Sequence, residues 1–100
     1  MVTDGMRPIH PGEVLREELL KPLQITPTAL AAALHVYEPR VGGLVSERLG
    51  ITADMAIRLG RYFNTSAGFW VNLQSTYGLS VATAVSGDTI ERGIKPLSDL

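Results

Sequence analysis

Residues 26–50, TPTALAAALHVYEPRVGGLVSERLG, constrain this chain more than any other stretch, because two short helical patterns meet there across a break that has room only for a turn. Thr26 stands at an N-cap position and Pro27 at the first helical position, where its missing amide hydrogen is not needed. The alanine-rich run that follows carries Leu30 and Leu34, so this helix is slim and packs closely. Pro39 disfavours the right-handed helical region for Glu38, so the chain turns through His35, Val36 and Tyr37 before a second helix starts at about Pro39. Val41, Leu44 and Val45 then fall at i, i+3 and i+4 and form an inward stripe. This predicts that Arg40, Gly43, Ser46, Glu47 and Arg48 face outward or lie at the helix end. The pattern is that of a helix-turn-helix. Small all-helical domains use the same pair as a plain packing device, so the flanking sequence has to decide.

Upstream, residues 1–9 show no periodicity and are expected to be flexible. HPGE at 10–13 then opens a helix, with Pro11 in its first turn, Glu13 favoured by the helix dipole and His10 as a capping or packing residue. Val14, Leu15, Leu19 and Leu20 supply its buried face. Arg16, Glu17 and Lys21 are expected in solvent, and Pro22 is expected to end the helix near Lys21. Downstream, Gly50 is a stop and Thr52 an N-cap for a helix whose Ala56, Leu59, Gly60 and Phe63 share one face. Asn64 closes that helix and Ser66 caps another, which carries Phe69, Trp70, Leu73 and Tyr77 at helical spacings to Gly78. Residues 80–100 are expected to form a loosely structured tail. The fold class is therefore all-α: a five-helix domain over residues 10–79.

Composition narrows the chemistry. One hundred residues make one small domain, and no apolar run approaches a membrane span or a signal peptide, so the expectation is a cytoplasmic protein. With no cysteine, disulfides, zinc-thiolate sites and thiol catalysis are excluded. Two histidines in separate helical contexts, without an activated nucleophile or a ligand set at metal spacing, argue against an enzyme, a metal site or a cofactor. A net charge of −1 is unusual for a nucleic-acid binder, which ordinarily neutralises phosphate with a basic footprint. Within residues 37–50, Arg40 and Arg48 are offset by Glu38 and Glu47.

With the helices placed, the chain resembles HigA-type antitoxins of toxin–antitoxin modules, a group that includes virulence-associated protein I and sits within the lambda-repressor-like (XRE) helix-turn-helix class. HPGEVLREELLKPL at 10–23, LAAALHV at 30–36 and ITADMAIRLGRYFNTSAGFWVNLQSTYGL at 51–79 carry the resemblance, which covers roughly residues 7–82. The second motif helix departs from the group. EPRVGGLVSERLG keeps Arg40 and the apolar positions, but places Gly42 and Gly43 at two polar positions, Ser46 at an asparagine and Glu47 at a glycine. The resemblance implies a homodimer that binds a palindromic operator in double-stranded DNA, represses its own operon and neutralises a RelE-type ribonuclease toxin. The toxin partner is implied by the resemblance alone.

On this reading the DNA-binding residues are Thr26, Thr28, Tyr37, Glu38, Arg40, Gly43, Ser46 and Arg48, with Arg40 at a base edge or phosphate and the hydroxyls and Arg48 on the backbone. The dimer interface is expected at Phe69, Trp70, Leu73, Tyr77, Leu79 and Val81, because the aromatic payload exceeds what the fifth helix needs to dock. Gly42 and Gly43 each cost a helix interior about 1 kcal/mol relative to alanine, so the reading helix is expected to fray. Two other functions fit the same pattern: a solitary regulator of this class without a toxin, and an interaction module that has lost DNA binding.

Overall fold

The computed structural model describes residues 7–98, and all regular structure among them is helical. There are five helices. The first, α1, runs as one rod in three segments, Pro11–Val14, a π-helical Leu15–Leu20 and Lys21–Leu23. It is followed by α2 Pro27–Leu34, α3 Glu38–Val45, α4 Ala53–Phe63 and α5 Ala67–Gly93.

Side-chain caps define the starts. Thr26, Thr52 and Ser66 each accept the amide N–H three residues on, at 3.0, 3.1 and 3.0 Å. His10 does the same for α1 with its ring, Nδ1 accepting the Gly12 N–H at 2.8 Å. Gln24, His35 and Asn64 take the left-handed conformation that ends α1, α2 and α4.

Pro22 does not end α1 at Lys21. Its ring crowds the carbonyl one turn back and its missing N–H breaks the regular ladder, but the wider π-helical turns before it make room, so the helix continues to Leu23.

The core is built from Leu15 and Leu20 of α1, Leu30 and Leu34 of α2, Val41 and Leu44 of α3, Met55, Ala56 and Leu59 of α4, and Trp70 of α5. All but Trp70, which was expected at a dimer seam, lie on faces that the helical spacing predicts. Close approach of α4 to the start of α5 depends on Gly60, where a Cβ would lie 3.0 Å from both the Thr65 carbonyl oxygen and the Ala67 nitrogen.

The expected tail is where the fold differs most from the sequence reading. Residues 80–93 continue α5 rather than forming a loose tail, and only 94–98 lack helix. The helix carries on because no proline intervenes before Pro96, although glycine and β-branched residues weaken the pattern. Beyond Tyr77 it leaves the core, with Leu79 71% and Val85 77% exposed. The projecting helix raises the radius of gyration to 16.4 Å, where about 13 Å is usual for 100 residues. Of the flexible stretch expected at 1–9, residues 1–6 lie outside the described residues. Arg7 is tied to Glu13 by two hydrogen bonds of 2.7 and 2.8 Å.

Candidate nucleic-acid interface

The α2–α3 pair forms the helix-turn-helix that the sequence predicts, and the start of α3 is exposed. Tyr37 is 77% exposed and has no side-chain capping bond, so the first amides of α3 open outward beside it. Glu38 and Pro39 are exposed as well, and Arg40 is half-buried at its base. Thr26 and Thr28 at the start of α2 and Ser46 and Arg48 at the end of α3 are exposed on the same motif.

Several of these groups are already partnered within the chain. Thr28 Oγ1 donates to Glu38 Oε2 at 2.7 Å, which ties the starts of α2 and α3 together. Arg48 Nε donates to Ser46 Oγ at 3.1 Å. Arg40 pairs neither with Glu38 nor with Glu47 but reaches Asp54 Oδ2 on α4 at 3.4 Å. The Asp54 carboxyl is held below its ordinary range, chiefly by a hydrogen bond from Arg58 and to a smaller degree by Arg40.

Gly43 is not outward. It is buried, because α3 ends in a reversal that folds Leu49 back over it. The Arg48 N–H bonds the Gly43 carbonyl at 2.8 Å and the Glu47 N–H the Leu44 carbonyl at 3.0 Å, with Glu47 in the left-handed region at φ 66°. This is a Schellman closure, and Glu47 occupies the position that favours glycine. A side-chain contact from Gly43 to a ligand is therefore ruled out on packing grounds as well as chemistry. Gly42 has open space around its α-carbon.

The expected dimer residues divide. Trp70 is fully buried in the protomer's own core, and its Nε1 donates to Thr65 Oγ1 at 2.9 Å, so it is a core residue and not a seam. Leu73 packs against the same core, and the Tyr77 ring meets His10 edge-on at 4.8 Å. Phe69 and Leu79 are exposed and Val81 is partly so. The surplus of aromatic surface read from the sequence is largely consumed within one chain.

Three residues that position the motif were not singled out from the sequence. Arg16, expected in solvent, donates from α1 to the Val45 carbonyl at the end of α3 and to Glu47 Oε2 at 3.1 Å. Arg58 Nη1 donates to the Leu34 carbonyl at 2.8 Å, satisfying the end of α2. Asp54 bridges Arg58 and Arg40. The four-residue spacing of Asp54 and Arg58 on one helix face was a visible signal; the contacts across helices had none.

No helix among the described residues is long and apolar enough to cross a membrane. No family model matches the chain. The Pseudomonas aeruginosa antitoxin HigA, solved with the higBA promoter, is 60% identical and superimposes with a TM-score of 0.89 over 91% of this chain and 99% of its own. The chain belongs to the HigA antitoxin family. A HigA-family addiction module antidote protein from Coxiella burnetii is 41% identical, with a TM-score of 0.88 over 92% of this chain and all of that one. The virulence-associated protein I of Dichelobacter nodosus is 53% identical over 77 residues, 77% of this chain and 71% of the relative. HigA membership confirms the resemblance carried by residues 10–23, 30–36 and 51–79, and the non-enzymatic reading accords with relatives that are antitoxins and helix-turn-helix regulators.

Proposed function

We propose that this HigA-family chain is a DNA-binding antitoxin that acts as a dimer, represses its own operon at a palindromic operator and neutralises a RelE-type ribonuclease toxin. The observation that carries the DNA part is the exposed start of α3, with Arg40 at its first turn, on a chain that matches a promoter-bound HigA along almost its whole length. Thr26, Thr28, Ser46 and Arg48 are the backbone-contacting set, and Tyr37 and Glu38 flank the entry to the groove. Gly43 supports α3 from inside and leaves the contact set.

Dimerisation follows from the charge problem as well as from family membership. One motif with a near-neutral surface has few phosphate contacts, and a two-fold pair doubles them while demanding half-sites about one helical turn apart. Phe69 and Leu79, exposed on α5, and Val81, partly exposed, are the members of the expected set left for that seam once Trp70 is assigned to the core. The toxin part rests on family membership.

Fluorescence anisotropy with the DNA upstream of the gene tests the reading, combined with sedimentation of the free protein. Retained binding at moderate salt by a dimer is the expected result, and Arg40→Ala is expected to weaken it about tenfold. Absence of binding at low salt would defeat the repressor reading, and a monomer at micromolar concentration would remove the palindrome. Co-purification with the product of an adjacent short reading frame separates an antitoxin from a solitary regulator.

A further inference from the structure

Asp54, in the first turn of α4, receives two guanidinium groups on one oxygen, Oδ2: Arg58 Nε at 2.8 Å and an Arg40 terminal nitrogen at 3.4 Å. The two contacts are unequal. Arg58 is anchored at both ends, since its Nη1 also donates to the Leu34 carbonyl at 2.8 Å and lies 3.5 Å from that of His35. The Arg40 contact is long and single. With the Arg40 side chain 41% and the Asp54 side chain 55% exposed, an incoming polyanion can reach both.

We infer that Asp54 is a positioning residue that competes with DNA for Arg40, holding the arginine on α4 in the free protein and so setting operator affinity below what the bare motif would give. The inference rests on Arg40 being the DNA contact proposed above. A carboxylate and a phosphate offer a guanidinium the same chemistry, anionic oxygen acceptors. Engaging the operator therefore exchanges one partner for another instead of adding one. On DNA of unrelated sequence Arg40 can stay on Asp54, since no base edge offers it a paired acceptor. On the operator it has to leave. The competition thus falls on specific binding, and Arg58, pinned to the end of α2, keeps Asp54 in place throughout.

The size of the effect is bounded by exposure. Solvent-exposed ion pairs correspond to at most about a fivefold change in an equilibrium constant, so Asp54→Asn should tighten operator binding about three- to fivefold. Removing one negative charge also favours any DNA slightly, and that gain is independent of sequence. The two are separable in a double-mutant cycle: wild type, D54N, R40A and R40A/D54N, each titrated by anisotropy against the operator and a scrambled duplex, with thermal melts confirming fold.

The expected result is an operator gain in D54N that exceeds the gain on scrambled DNA and disappears in the R40A background. Asp54→Glu, which keeps the charge, should stay within about twofold of wild type and serves as the check if D54N melts early. Equal gains on both duplexes, an operator gain that survives in R40A, or an operator loss in D54N would each overturn the inference while leaving Arg40 as a DNA contact. An R40A protein that binds the operator as tightly as wild type would overturn the Arg40 assignment and this inference with it.

Discussion

Leu49 lies so close against Gly43 that a Cβ built on the glycine would stand 2.4 Å from Leu49 Cδ1 and 2.7 Å from its Cγ. Gly42, one residue earlier in the same helix, has nothing within 4 Å of that point. The two glycines, alike in the sequence, are therefore opposite in kind. Gly42→Ala should stabilise the protein by about 1 kcal/mol through helix propensity. Gly43→Ala must displace Leu49, and the overpacking outweighs the propensity gain, for a net loss of about 1 kcal/mol. Urea titration of the two single variants checks the opposite signs; equal stabilisation would mean that Leu49 moves aside freely.

Glu47 ends α3 in a conformation that costs a side-chain-bearing residue roughly 1 kcal/mol or more. Its pairing with Arg16 is half exposed and offsets only part of this. Glu47→Gly is expected to raise stability by about 0.5 kcal/mol or more. Glu47→Ala, which loses the pair and keeps the strained backbone, should not. Comparison of the two midpoints isolates the backbone contribution from the charge.

His10 caps α1 from a buried position and carries the ring of Tyr77 against it. One substitution thus removes an N-cap and an aromatic edge contact between the first and last helices. His10→Ala should cost about 2 kcal/mol, within the range for a lost cap together with an aromatic pair. Tyr77→Leu should lose only the second part. A destabilisation of His10→Ala no larger than that of Tyr77→Leu would show that the ring nitrogen contributes nothing.

Glu13, Glu17 and Asp54 are each held below the ordinary carboxylate range, by hydrogen bonds from Arg7, from Lys21 with Arg16, and from Arg58. A carboxyl whose folded-state pKa is depressed contributes stability above its unfolded value and loses it as pH falls through the folded value. The contribution of these three groups to stability should accordingly be constant from neutrality down to about pH 5 and decline below it, read as melting temperature, since unperturbed carboxylates titrate near 4. Asp54 is exposed and Glu13 and Glu17 are partly so, and added salt should therefore shrink the decline. Arg7→Gln should flatten part of it; an unchanged acid limb in that variant would show that the Arg7–Glu13 pair does not persist in solution.

Local signals were legible in the sequence and long-range ones were not. Thr26, Thr52, Ser66 and Asn64 could be placed at helix ends because caps act within three residues, and the structure puts each where its neighbours require. The stripe Val41, Leu44 and Val45 faces inward for the same reason. Trp70 was misplaced because aromatic content shows how much surface a helix must bury, not whether its own chain or another buries it. Gly43 was misplaced because its burial comes from Leu49 folding back, a reversal carried by a glutamate in a glycine position. The Arg40–Asp54 and Arg16–Val45 contacts span fourteen and twenty-nine residues and leave no periodicity to read. Pro22 stops an ideal helix, and only the π-helical turns ahead of it change that outcome.

Gln74 Oε1 accepts the Ile51 N–H at 2.6 Å and lies against Gly50, so α5 is bolted to the segment that joins α3 to α4. From Gln74 to Gly93 the helix runs about 28 Å at 1.5 Å per residue, most of it clear of the core. It is a lever with its fulcrum on the segment that follows α3. A tilt of roughly 10° at Gln74 sweeps the far end through about 5 Å over that helical rise. Anything that grips the far end therefore pulls on the segment that follows α3.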